Sequence, residues 1–412
     1  MWQPLLLIIL ISPVQAQAAP KAAQSTCIRC HTDLGNPFDA PVKASAQDIH
    51  FQNGLSCNSC HGGDPTRDKP EEAMNPAKGF VRQPARKQVV TLCASCHSNP
   101  DYMRKYNPQA RVDQYSEYLT SVHGKKLQTG DPNVAICIDC HGHHGILAAK
   151  NPNSSVYAPN VAATCGRCHS DPQRMKSYGI PTDQQELYTK SVHGEALMKN
   201  RDLAAPTCNS CHGNHGATPP GVDSVANVCG QCHVMQWDLF NQSPHRKAFE
   251  DRQLKGCVTC HQNHEVVQPS DAMLGAEDSA TCPICHEKGS AGYAAAQEMK
   301  SAIVGLQGRL NSSSQLLEGA QRAGMEVSRP IYQLAEGRDR LVLARVQIHR
   351  FNPAMLKKTI MEGDSIAGAS EQSGMQALAD LAYRRKGLAV SAVILLCMIG
   401  LLLLKIRRLK SS

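Results

Sequence analysis

Nine times in 412 residues the chain places two cysteines three apart with a histidine directly after the second. The copies are Cys27/Cys30/His31, Cys57/Cys60/His61, Cys93/Cys96/His97, Cys137/Cys140/His141, Cys165/Cys168/His169, Cys208/Cys211/His212, Cys229/Cys232/His233, Cys257/Cys260/His261 and Cys282/Cys285/His286, and they use eighteen of the nineteen cysteines. A single copy could be a zinc knuckle or a redox dithiol. Zinc does not need a histidine after the second cysteine every time, and a dithiol enzyme carries one active pair. The spacing suits covalent haem. Residues three apart share one face of a helical turn, so both thiols reach the two vinyl groups of one porphyrin. The adjoining histidine then falls beneath the iron as proximal ligand. The expected cofactors are nine covalently bound c-type haems.

Nine further histidines remain, and most of them recur at matching places. Residues 93–146 and 165–217 align as two copies of one unit, each with a "SVHG" segment between its two motifs and a histidine three residues after the second motif histidine. A shortened copy spans 229–265 and a looser one 27–64. Each unit is thus a haem pair separated by one histidine: His50, His123, His193 or His245. Units two to four end on His144, His215 and His264, whereas Asp64 holds that place in the first. Low-spin electron-transfer haems take two axial ligands, so these seven are the candidate distal ligands. A histidine three residues from a proximal one cannot reach the far face of the same iron. The end histidines are therefore expected to turn to neighbouring haems. His143 and His349 complete the count, since nine proximal histidines leave nine for nine sixth positions. His349 has a competing reading as a helix-end residue beside Arg350. Met103 and Met175, at equivalent places after their motifs, read as structural parts of the repeat.

The elements needed to hold these residues are short. Only 4% of the chain is aromatic and its mean hydropathy is −0.34, a thin supply for a protein-only core. The expected fold is mainly α with extensive loops, organised by the haems, followed by a bundle of long helices. After the last motif the cysteines stop and the apolar residues fall at helical spacing: Met299, Ile303, Leu306 and Leu310, then Ile331, Leu334 and Leu341. Three helices are expected, at 291–326, 330–350 and 354–384, the last able to run on into the membrane, with starts marked by Pro330 and by Asn352-Pro353. The formal charge of +8 does not indicate a nucleic-acid partner. Each ferric haem with ionised propionates contributes about −1, which brings the loaded protein near neutrality. Arg104-Lys105 and Lys125-Lys126 can pair with those propionates.

Both ends point to a membrane. Leu5 to Ile11 is a short apolar run followed by small residues at Ala16 and Ala18, which reads as a secretory signal without a basic start. No cysteine follows at the junction, which argues against a lipoprotein. Residues 387–404 carry no charge and are long enough for one transmembrane helix, with Cys397 inside it as a packing residue. The expected organisation is a signal peptide at 1–18, a nonahaem domain of paired motifs at 19–288, a helical segment at 289–386, the transmembrane helix at 387–404 and a cytoplasmic tail at 405–412. Haem attachment requires export, so the haems lie outside and the cationic tail inside.

The "CxxCHS…SVHG…CxxCHG.H" arrangement over about residues 27–286 resembles the multihaem cytochrome superfamily with doubled motifs, including cytochromes of metal- and nitrogen-oxide-respiring bacteria. The helices after the haems also resemble the C-terminal part of pentahaem nitrite reductases and octahaem hydroxylamine oxidoreductases. A C-terminal anchor departs from the quinol dehydrogenases of nitrate and nitrite respiration, which carry theirs at the N-terminus. The resemblance implies a periplasmic electron carrier on the cytoplasmic membrane, relaying electrons between the quinol pool, or a quinol-oxidising membrane partner, and periplasmic redox proteins. The alternative is a reductase or oxidase of a small nitrogen or sulfur compound with one open haem. All nine motifs end in histidine, where related nitrite reductases commonly place lysine at the catalytic haem, and this favours the carrier.

Overall fold

The computed structural model describes residues 25–219 and 221–410. The expected signal peptide lies outside the described residues. Those that are described form helices, turns and loops, with no strand among them. The chain divides into two compact units. One runs to Val225 and takes in Asn263–Val266, and the other comprises Ala226–Gln262 and Val267–Ser412.

In the first unit one motif opens the helix Thr26–Leu34, and the other five sit on two kinds of helix. The leading motifs of the second and third repeats close twelve-residue helices, Arg86–His97 and Ala158–His169, each ending on its motif histidine. The trailing motifs are single turns that begin at the first cysteine and end at the histidine: Cys57–His61, Cys137–His141 and Cys208–His212. So short a turn depends on its caps. The residue before the second cysteine supplies one, because Ser59, Asp139 and Ser210 accept the backbone N–H of Ser56, Ile136 and Thr207 at 3.0, 2.7 and 3.1 Å. The glycine after each histidine supplies the other end, with φ of 67° at Gly62, 82° at Gly142 and 81° at Gly213.

Between the motifs, paired short helices meet at a serine corner. Gln114–Thr120 turns into Val122–Gln128 at Ser121, and Gln184–Lys190 into Val192–Met198 at Ser191. Each serine hydroxyl donates to the carbonyl three residues back, Tyr118 or Tyr188, at 2.6 Å. It also accepts the N–H of Gly124 or Gly194 at 3.0 Å, so one side chain closes one helix and caps the next. The tyrosine hydroxyls then fasten the corner to the segment before the trailing motif, Tyr118 to Ala135 O at 2.9 Å and Tyr188 to Pro206 O at 3.0 Å. Two small apolar clusters back the corners, Val90 with Leu127, Val134 and Ile136, and Ala162 with Tyr188 and Leu197.

The second unit contains the largest apolar core. Its helices are α1 (Ala291–Arg322), α2 (Ser328–Gln347) and α3 (Pro353–Lys410). Ile303, Leu306, Leu310 and Leu317 of α1, Leu334 and Leu341 of α2, and Leu356 and Ile360 of α3 are buried together. Gly337 and Gly363 admit Leu310 and Leu306 where a β-carbon would collide with them. α1 stops four residues earlier than its apolar spacing suggests, because Gly324, at φ 84°, turns the chain and Met325 N–H caps the Ala320 carbonyl at 3.0 Å. α3 starts at Pro353, with Asn352 accepting the Ala354 N–H at 3.0 Å, and then runs unbroken through Lys410. Its first half packs on α1 and α2. Its second half exposes Leu388, Ile394, Leu395 and Leu401, and no residue of its most apolar 18-residue window is buried in the chain. At about 1.5 Å per residue, an 18-residue window spans about 27 Å, close to the apolar thickness of a bilayer. It is a candidate single membrane span.

Candidate functional site: paired histidines and abutting cysteines

None of the nineteen cysteines is joined in a disulfide, and among the described residues no cluster of three or more His, Cys, Asp or Glu side chains is arranged to hold a bare metal ion. The histidines instead meet in twos. His50 faces His97 with ring centroids 6.0 Å apart, His61 faces His144 at 6.0 Å, and His123 faces His169 at 6.1 Å. His141 faces His215 at 6.3 Å, His212 faces His264 at 5.9 Å, His245 faces His286 at 5.8 Å, and His261 faces His349 at 6.1 Å. Two imidazoles on opposite sides of one metal, each with a bond of about 2.0 Å and a ring radius of about 1.1 Å, have centroids about 6.2 Å apart. Each of the seven pairs joins one motif histidine to one from outside the motifs. This donor set fits an iron porphyrin with two axial imidazoles.

The pairing has a direction. His50 and His123, in the middle of the first and second repeats, face the leading motif of the next repeat, and His245 likewise faces the final motif. His144, His215 and His264, at the ends of the second to fourth repeats, face the trailing motif of the repeat before. None faces the histidine three residues ahead of it. His349, from the 3-10 turn after α2, faces the trailing motif of the fourth repeat. His143 lies 4.9 Å from its neighbour His144 and faces no motif histidine, and the ring beside His31 is Phe38 at 6.3 Å. His193 occupies in Val192–Met198 the same place that His123 holds in Val122–Gln128.

Burial holds the imidazoles of His97, His123, His141, His212, His215 and His261 below the ordinary histidine range, which keeps a nitrogen lone pair available. Several rings are also oriented through Nδ1. His61 meets the Val81 carbonyl at 2.9 Å, His349 the Val346 carbonyl at 2.9 Å, and His50 the Asp48 carboxylate at 3.0 Å. A carbonyl or carboxylate partner accepts the Nδ1–H hydrogen bond, which fixes the proton on Nδ1 and leaves the Nε2 lone pair for a metal. Asp48 does more than this. It is buried, and it also accepts the N–H of His50 and of Ile146, both at 2.8 Å, tying the His50 turn to the segment after His144. Sequence reading passes over Asp48; the signal for it is an acidic residue two before a repeated histidine.

The cysteines of a repeat also meet. Cys93 and Cys137 are hydrogen-bonded, which holds the Cys137 thiol down at about 7 and pushes that of Cys93 up. Cys165 with Cys208 and Cys257 with Cys229 repeat the arrangement, with Cys208 and Cys229 the lowered members at about 7. Cys27 raises the thiol of Cys57 by its charge, after burial. The first cysteines of the two motifs in a repeat are therefore neighbours, and so are the attachment points they offer.

The second cysteines differ from one another in helix type and in exposure. Cys30, Cys96, Cys140, Cys168, Cys211 and Cys260 are half-buried, and each lies inside its α-helix; Cys211, for one, shares the turn Cys208–His212 with its partner. Cys60 also lies within its turn but is exposed. Cys232 and Cys285 depart from the α-helical turn that the spacing suggests. Their motifs sit on 3-10 turns, Val225–Gln231 and Cys282–Ile284, each of which stops one residue before the second cysteine and leaves it exposed. Pro283, with no N–H to give, suits the tighter turn at the last motif. The spacing still works, because residues three apart eclipse one another in a 3-10 turn. The backbone closes accordingly, Cys232 N–H on Cys229 O and Cys285 N–H on Cys282 O, both at 3.2 Å.

Three family models match parts of the chain. They are "Cytochrome c3" over residues 49–179, "Doubled CXXCH motif" over 248–291, and "Cytochrome c554 and c-prime" over 12–62. Two curated relatives are multihaem proteins. The C-type polyheme cytochrome OmcC of Geobacter sulfurreducens is 20% identical over 241 residues, covering 58% of this chain and 26% of its own length. The multiheme cytochrome MtrA of Shewanella baltica is 26% identical over 243 residues, covering 48% of this chain and 68% of its own. The chain belongs to the multihaem c-type cytochromes. No solved structure matches it. As such a cytochrome it binds haem covalently through its paired cysteines. It spans about a quarter of the length of OmcC.

Proposed function

We propose that this cytochrome is a nonahaem electron relay, anchored by the second half of α3, with its haems on the periplasmic side of the cytoplasmic membrane. It would pass electrons between a quinol-oxidising membrane partner and periplasmic acceptors. The supporting observation is the set of seven histidine pairs at the span of a single iron, each reaching across from one motif to another part of the chain. Bound haem supplies one-electron Fe(III)/Fe(II) chemistry. In this reading His31, His61, His97, His141, His169, His212, His233, His261 and His286 are the proximal ligands. His50, His123, His144, His193, His215, His245, His264 and His349 are the distal ones.

The residues of the chain then do three things. The paired cysteines would fix each macrocycle through its two vinyl groups. The exchanged histidines keep iron low-spin in both oxidation states, so little has to move when charge changes. The abutting first cysteines keep the two cofactors of a repeat adjacent. A relay needs no substrate pocket.

The test is a reductive titration of the detergent-solubilised holoprotein. Nine electrons should be taken up per chain, and a sub-stoichiometric oxidant should draw from all haems together. Uptake of fewer than nine, or haems that fail to equilibrate, would rule out a nine-centre relay.

A further inference from the structure

Every histidine exchange in this chain presupposes a neighbour. Middle histidines serve the leading motif of the next repeat, and end histidines serve the trailing motif of the repeat before. The first repeat departs from this scheme in two places. At its end Asp64 stands where the later repeats place a histidine, and it is engaged with Lys78 at 2.5 Å and with Thr66 at 2.6 Å. The other place is His31, which belongs to none of the seven histidine pairs.

The remaining histidines do not fill the gap. His144 turns to His61, while the ring beside its neighbour His143 is that of His144, at 4.9 Å. His193 holds the forward-facing place of the third repeat. At the centroid distance where seven motif histidines meet a second imidazole, His31 meets the phenyl ring of Phe38, at 6.3 Å and 84°. The turn at Gly35 brings it there, with Phe38 N–H bonded to the Gly35 carbonyl at 2.7 Å and Gly35 at φ 69°. A phenyl ring has no lone pair to offer a metal.

We infer that the haem attached at Cys27 and Cys30 has no histidine as sixth ligand and keeps an exchangeable position beside Phe38 for a small ligand. The class is a compact donor: carbon monoxide or nitric oxide on the reduced iron, cyanide on the oxidised. This rests on the histidine-exchange ligation proposed above. A haem open to a small molecule is a ligand site distinct from the closed haems.

The experiment uses the purified full-length holoprotein, with carbon monoxide as the probe. Wild type should show one high-spin haem in nine by ferric EPR and resonance Raman, and the reduced protein should bind one carbon monoxide per chain. His143→Ala should leave both values unchanged. Phe38→His should offer an imidazole at the open face, remove the high-spin signal and abolish carbon monoxide binding. A wild type with no high-spin haem and no carbon monoxide binding would overturn the inference while leaving the exchange scheme standing. So would a His143→Ala protein that gains a high-spin haem over wild type, or a Phe38→His protein that keeps the signal. Several carbon monoxide molecules per wild-type chain would instead overturn the exchange scheme itself, and the inference with it.

Discussion

Replacing Gly124 with alanine adds one methyl group at the serine corner that carries His123. A β-carbon there would overlap the Tyr118 carbonyl oxygen, and would stand 2.8 Å from its carbon and 3.0 Å from the Leu119 Cα. All three atoms are backbone, so no side chain can swing aside to make room. The two short helices of the corner must separate, and His123, one residue away, moves with the second. Overpacking of this kind costs about 1–3 kcal/mol. Since about 1.4 kcal/mol is a tenfold change in an equilibrium, a cost of about 2 kcal/mol shifts the balance between seated and displaced His123 about thirtyfold. His123 stands 6.1 Å from His169, so the haem at Cys165 and Cys168 is the one that should lose its low-spin signature. Gly308→Ala is the control. Gly308 is exposed on α1 with nothing within 4 Å of an added β-carbon, and an alanine in a helix interior is favoured over glycine by about 0.5–1 kcal/mol. The assay is thermal unfolding read beside the ferric EPR spectrum. Gly124→Ala should lower the midpoint and raise the high-spin fraction, whereas Gly308→Ala should do neither. A Gly124→Ala protein with the wild-type midpoint and spectrum would refute the argument that glycine is required by the close approach of the two helices.

His349→Ala should add one high-spin haem, at Cys257 and Cys260, with helix content by circular dichroism retained; no new high-spin haem would return His349 to the role of a helix-end residue. Leu306→Ala, which empties a site packed against Gly363 in the α1–α3 core, should cost about 2–5 kcal/mol in denaturant unfolding and leave the haem spectra untouched. Asp48→Asn should weaken the orientation of His50 and shift the potential of the haem at Cys93 and Cys96 without detaching it, as followed by potentiometric titration; an unmoved potential would make Asp48 purely a loop tie. A reporter fused after Ser412 should be active only if it is of a cytoplasmic type, and activity of a periplasmic type there would reverse the proposed topology.

The chemistry of this chain is written locally, and for that reason most of it is legible from sequence. The motifs, the repeats and the nine additional histidines can all be found by spacing, and so can the three long helices. The direction of ligand exchange cannot. That His144 could not return to the iron of His141 follows from three residues of chain, but that it meets His61 depends on a contact across about eighty residues, for which spacing carries no signal. The "SVHG" repeat shows a similar limit. Its histidine is recognisable, whereas the reason for its serine and glycine emerges only once Ser121 is seen bonded to Tyr118 and Gly124 is seen pressed against the same carbonyl. Nor does the spacing of Cys229 with Cys232, or of Cys282 with Cys285, distinguish an α-helical turn from a 3-10 one, since both present residues three apart on one side. Helix ends escape sequence reading where a single residue decides them, as at Gly324.

The central claim is that the irons are held by histidines exchanged between neighbouring repeats. An experimental density map of the haem-loaded protein tests it most directly at the haem attached through Cys57 and Cys60. The account predicts His61 on one face of that iron and His144, from the following repeat, on the other. A distal ligand from within the first repeat, such as His50, would contradict it.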